Sequence, residues 1–120
     1  MTVGFRLSPQ QRLLWRLHGP TAGPFTGRSV LLVRGELDVD TLRESVRRVV
    51  ARHEILRTAF SEPVGVGEPV QVVREPGDVD FRVESARDAD GIDLGIDVRG
   101  GSPLQVCVVR NGGAEHRVEI

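Results

Sequence analysis

The sequence predicts an α/β (α+β) domain in which a mixed sheet carries two packed helices. Two segments have apolar residues at helical spacing, and around them lie short runs of β-branched and aliphatic residues. No apolar run approaches the roughly 20 residues needed to span a membrane. With 120 residues, 39% of them hydrophobic, the chain has material for one domain and not for two. A globule of this size buries about 65% of the surface that its unfolded chain exposes.

The elements follow in order. Ser8 is placed to cap a first helix and Pro9 to occupy its first position. Leu13, Leu14 and Leu17 recur at helical spacing beside Trp15, and Gly19-Pro20 ends the run. Residues 21–27 form a loop of small residues, glycine and proline. Residues 29–37 read as a strand. Its Val30, Leu31, Leu32 and Val33 lack polar alternation, so a central strand covered on both faces is expected. Asp38 or Asp40 caps the second helix. Its buried stripe is expected at Leu42, Val46, Val49, Val50 and Ile55 or Leu56, its wet face at Arg43, Glu44, Arg47 and Arg48.

Residues 57–60 start another strand, Gly65, Gly67 and Pro69 mark a turn, and Val70, Val72 and Val73 form the partner strand. Phe81 and Val83 alternate with charged residues, as in a half-exposed edge strand. Residues 86–101 read as an Asp- and Gly-rich loop. Residues 104–110 and 115–120 form a hairpin through Asn111-Gly112-Gly113. The pattern stops in mid-strand at Ile120, so a continuation is expected. Apolar surface or unpaired edges around Val108, Val118 and Ile120 are expected to drive a homo-oligomer through the uncovered sheet.

Composition narrows the function classes. The 16 basic and 17 acidic residues leave a net charge of -1, so nothing favours phosphate backbones or anionic lipid, and no nucleic-acid or membrane partner is expected. Every basic residue is Arg, which excludes chemistry on a lysine amine. The single Cys107 excludes an internal disulfide and a multi-cysteine metal site. A reduced, cytoplasmic protein is expected. Cys107 alternates with Val106 and Val108 and reads as a core thiol. No histidine pair or histidine–carboxylate cluster has metal spacing, and no metal is expected. His18 ends the first helix and His116 lies in the last strand. His53 reads as a partly buried structural histidine before a general base, which would need a partner and a cavity. Gly65-x-Gly67 and Gly100-Gly101 precede no helix with the residues of a phosphate loop.

One motif is specific. Residues 52–60, Arg-His-Glu-Ile-Leu-Arg-Thr-Ala-Phe, match the R-H-E-x-L-R-T-x-F pattern of nonribosomal peptide synthetase condensation domains. Gly35-Glu36-Leu37-Asp38, with Leu42 and the Val49-Val50 pair, resembles the strand and helix that lead to it. Ser8, Gln11, Leu14, Trp15 and Leu17 resemble the family's first motif, with Gln10 and Leu13 departing from it. Pro69-Val70-Gln71-Val72-Val73 and Ser102-Pro103-Leu104 also sit where the family has similar segments. The likeness runs from about Phe5 to Ile120 and implies part of the N-terminal, chloramphenicol-acetyltransferase-like lobe.

The resemblance implies an activity of the whole family domain: amide formation between acyl and aminoacyl thioesters held on the phosphopantetheine arms of carrier proteins. The family's catalytic H-H-x-x-x-D-G motif is absent from these residues. The chain is therefore expected to hold no catalytic residue, to bind no cofactor itself and to be inactive alone, as residues 1–120 of a partial domain. Its implied partners are a peptidyl or acyl carrier protein and other synthetase domains. Arg57, beside Arg52 and His53, is implied to pair with the aspartate of the missing motif; the alternative is a surface arginine at a strand end. Arg43, Arg47 and Arg48 form either a docking patch for an acidic carrier or, as favoured, a solvated helix face. The alternative to a truncated domain is a naturally short, non-catalytic docking module of a biosynthetic assembly line.

Overall fold

Local signals start both helices as expected. The computed structural model describes residues 4–19, 26–87, 96, 99 and 102–120. Helix α1 (Pro9–His18) begins at a reciprocal cap: the Gln11 N–H donates to Ser8 Oγ at 3.2 Å, and the Ser8 N–H donates to Gln11 Oε1 at 2.8 Å. It ends at Gly19. Helix α2 (Val39–Arg52) is capped by Asp38, which accepts from the Thr41 N–H at 3.0 Å and its hydroxyl at 2.8 Å. Those two bonds, the backbone one first, lower the Asp38 pKa. Most of the expected loops at 21–27 and 86–101 lies outside the described residues.

The strands divide between two sheets. Strands β1 (Gly4–Arg6), β3 (Thr58–Ser61) and β4 (Val70–Val73) form an antiparallel sheet in the order β1-β4-β3. Strands β2 (Val30–Arg34), β5 (Asp80–Ser85), β6 (Gln105–Arg110) and β7 (Glu115–Glu119) form a mixed sheet in the order β2-β7-β6-β5, with β5 parallel to β6. The expected fold class holds. The sequence reading missed β1 within the lead-in; a three-residue strand has too few positions to show a period. A Cβ on Gly4 would lie 2.8 Å from Val70, so only glycine admits this approach of β1 to β4.

Each sheet has one helix packed by its own residues. Trp15 of α1 meets Phe60 of β3 edge-on at 5.8 Å, and Gln11 donates to Gln71 of β4 at 3.1 Å. On the second sheet, Val106, Val108 and Val118 are the centre of the core, and Val39, Leu42 and Val46 of α2 pack against them with Val33, Phe81 and Leu104. Arg43 lies over the Phe81 ring at 4.9 Å and roofs the margin of this core. The β6–β7 hairpin turns through Gly112 and Gly113, whose φ of 91° and 62° are costly for other residues. The described molecule measures 54 × 28 × 20 Å, and its radius of gyration of 16.4 Å exceeds the roughly 14 Å of a compact 120-residue domain.

Three expectations are corrected. The run at Val30–Val33 is an edge strand, not a central one, because only β7 pairs with it. Lack of polar alternation reports low polarity, not the number of neighbours. Val49 is 48% exposed and Ile55 is also exposed: Val49 sits on the flank of the 39–42–46–50 stripe, and Ile55 lies in a 3₁₀ turn (Glu54–Arg57) that breaks the α period. Val108 and Val118 are buried under α2, so the exposed apolar surface lies on β2, with Ile120 beside it.

Opposite outcomes are expected at neighbouring positions of α2. Val46→Asp sets a charge against the core and should cost several kcal/mol, whereas Arg47→Ala, on the exposed face, should change stability by less than about 0.5 kcal/mol. Thermal melts of both variants check this, and equal melting temperatures would show the helix faces to be wrongly assigned.

Candidate functional site

The nonapeptide at residues 52–60 folds around one guanidinium. Helix α2 packs on the second sheet through Val39, Leu42 and Val46, all in its first eight residues, and the motif begins at its C-terminal end. His53 closes the helix, its N–H donating to the Val49 carbonyl at 3.0 Å. The 3₁₀ turn then brings Arg57 inward before β3 begins. This turn is held by the Leu56 N–H on the His53 carbonyl (3.0 Å) and the Thr58 hydroxyl on the Glu54 carbonyl (2.7 Å).

Only 16% of the Arg57 side chain is exposed. Its Nη1 donates to the Arg74 carbonyl, Nη2 lies 3.7 Å from Glu54 Oε1, and the buried Nε has no hydrogen-bond partner. The Arg74 N–H returns a bond to the Arg57 carbonyl at 3.0 Å. The reading of Arg57 as a surface arginine is thereby excluded; the turn tucks it against β4. A permanently charged, largely desolvated guanidinium with an idle donor is a costly arrangement, about 1–3 kcal/mol for the unmade bond. Its chemistry is the fork-like grip of a carboxylate.

The other residues singled out take simpler roles. Ser8 and Gln11 cap α1, and Trp15 packs on Phe60. Arg52 is exposed in the last turn of α2. His53 is exposed and not partly buried, because it caps the helix at the surface; no described carboxylate orients it as a base would need. His116 is half-buried and its Nδ1 has no partner, opposite Val33 and Arg110 in the sheet register. Arg43 and Arg48 pair with Asp40 and Glu44 at 3.2 Å along their own helix. Among the described residues, no group of three or more His, Cys, Asp or Glu could hold a metal, and no helix is long and apolar enough to cross a membrane.

The face of the second sheet opposite α2 is charged. Glu119, 6% exposed, is held by Arg28 and by Arg117, the latter at 2.8 Å. Beside it, Cys107 is buried. Burial first, then the carboxylates of Glu119 and Glu84, raise its thiol pKa against the opposing pull of Arg82 and Arg117. This is the reverse of what activates a nucleophilic thiolate. At the Ile120 end of the sheet, a cavity of about 320 Å³ is lined by Arg28, Leu104, Gln105 and Ile120 among others.

Comparison with known proteins gives one consistent result. A family model described as Condensation domain matches residues 5–97. Surfactin synthase subunit 2 of Bacillus subtilis (strain 168) is 50% identical over 60 residues, which are 50% of this chain and 2% of that protein. A solved structure of the nonribosomal peptide synthetase FmoA3 aligns over 98% of this chain and 13% of its own, with a TM-score of 0.68 and 30% identity. The condensation domain of the polyketide synthase MokA aligns over 98% of this chain and 29% of its own, with a TM-score of 0.76; at 22% identity it speaks for the fold alone.

Cys107 gives a direct check. It should resist alkylation by iodoacetamide at neutral pH in the folded protein and react fully in urea. Because folding raises its pKa above 9.0, the protonated thiol supports the fold below that pH, and the support is lost as pH rises through the folded value. Rapid labelling of the folded chain at neutral pH would contradict the burial described.

Proposed function

The chain belongs to the condensation-domain family of nonribosomal peptide synthetases, and from that premise we propose that it supplies the N-terminal part of a domain that joins two carrier-bound thioesters through an amide bond. In that reaction the amine of the downstream aminoacyl group attacks the upstream acyl thioester, and the upstream phosphopantetheine thiol leaves. The upstream carrier thus loses its chain and the downstream carrier gains it. Catalysis belongs to residues outside these 120: neither the H-H-x-x-x-D-G motif nor a second lobe is among them. The isolated chain therefore turns over nothing.

The observation that carries the reading is Arg57. Its idle, buried Nε suits a guanidinium that receives the aspartate of the catalytic loop. It is a positioning residue: a bidentate grip on that carboxylate fixes the loop, and the loop sets the histidine. Arg52 and His53 shape the turn that delivers it. The family's partners are carrier proteins and neighbouring synthetase domains, in the cytoplasm. A docking role for Arg43, Arg47 and Arg48 has less support, since Asp40 and Glu44 already neutralise two of the three.

The test has two arms. With loaded donor and acceptor carriers, the chain alone should give no condensation product above background. Substituted for the equivalent segment of a complete condensation domain, it should restore amide formation, and Arg57→Gln in that chimera should lower kcat by about 100-fold, the scale of a misplaced catalytic group. KM for the loaded carriers should be unchanged. A folded chimera with full activity after Arg57→Gln would remove the role given to this residue.

A further inference from the structure

We propose that the outer edge of β2 binds an extended segment of another protein by strand addition, with a carboxylate set opposite Arg34 and apolar side chains opposite Leu32 and Val30. The proposal is independent of the reading above. It starts from the ladder. Ser29 and Ile120 exchange both backbone hydrogen bonds, at 2.8 and 2.9 Å, and the Gly35 N–H donates to the Ala114 carbonyl at 2.6 Å. In an antiparallel pair the bonded positions alternate, so Leu31 and Val33 also turn their N–H and C=O toward β7. The N–H and C=O of Val30, Leu32 and Arg34 consequently face away from the sheet.

This edge lacks the usual defences. Val30, Leu31 and Leu32 are 54%, 52% and 55% exposed, with neither proline nor an internal charge to break the run. The opposite edge of the same sheet, β5, carries Asp80, Arg82 and Glu84 in alternation, with Arg82 and Asp80 paired at 3.1 Å. In the other sheet, β1 and β3 have only three and four residues. Among the described strands, β2 is the edge suited to pairing.

Charge selects the occupant. Alternation puts Arg28, Val30, Leu32 and Arg34 on one face; Arg28 is held by Glu119, whereas Arg34, with Glu115 opposite it in β7, makes no described ion pair within 4.0 Å. A second copy fits poorly in a two-fold antiparallel pairing. The register that sets Val30 against Leu32 also sets Arg28 against Arg34, twice. A shift one way sets Arg34 against Val30, and a shift the other way sets Arg28 against Leu32. Each register carries like-charge repulsion or an apolar–charged mismatch. A partner segment reading acidic–x–apolar–x–apolar, antiparallel to β2, meets neither obstacle. Its backbone supplies affinity, and its alternate side chains supply the choice.

The probe is a labelled eight-residue peptide of sequence TETVTVTS, blocked at both ends, followed by fluorescence anisotropy against the 120-residue chain. It should bind, and the TKTVTVTS peptide should bind about tenfold more weakly, since a cross-strand attraction becomes a repulsion. Arg34→Glu, checked for an unchanged circular dichroism spectrum, should invert that preference. Leu32→Lys should abolish binding of both. Equal binding of the two peptides, or no binding of either, would overturn the proposal. Concentration-dependent dimers lost in Leu32→Lys would assign the edge to a second copy instead.

Discussion

The contact on which the rest depends is that of Val39, Leu42 and Val46 with Val106, Val108 and Val118. Through it α2 is held on the second sheet, and the turn that follows the helix starts from that anchorage. The 3₁₀ turn touches both this helix and β4, so the anchorage of α2 bears on where Arg57 is tucked. The same contact buries the central strand on one face and leaves the other to an ion-paired layer around Glu119. Among the described residues, long charged side chains of that layer lie around the small Cys107.

Arg57 is also where stability and the proposed role part company. Within this chain its burial brings one carbonyl bond, a distant carboxylate and an idle Nε. A leucine of similar volume would avoid the desolvation of a charge. The turn from His53 to Thr58 nonetheless holds the guanidinium in place with its own hydrogen bonds, the preorganisation that the proposed role would require.

Much of this was legible in the residues, for reasons that can be named. Caps at Ser8 and Asp38, the glycines of the last hairpin and the alternation at Phe81 and Val83 are local signals, and local geometry obeys them. The nonapeptide at 52–60 was legible because it is a whole motif and not a single residue. What could not be read was the number of neighbours a strand would have: Val30–Val33 has the same letters whether one strand or two flank it. The division into two sheets was equally hidden, since pairing of β1 with β4 joins residues more than 60 apart. His53 shows the limit for single side chains: its burial depends on what packs over a helix end, which spacing does not encode.

The two-sheet arrangement has a consequence for how unfolding is observed. Each sheet has its own helix and its own cluster of buried side chains, and the 3₁₀ turn touches both α2 and β4 as the bridge between them. Among the described residues the Arg99–Glu62 pair at 3.9 Å is a second link between the halves, and local opening of one sheet need not coincide with that of the other. The lone tryptophan, Trp15, sits in the first unit against Phe60. Its fluorescence therefore reports first on the packing of that unit, while amide absorption averages over both.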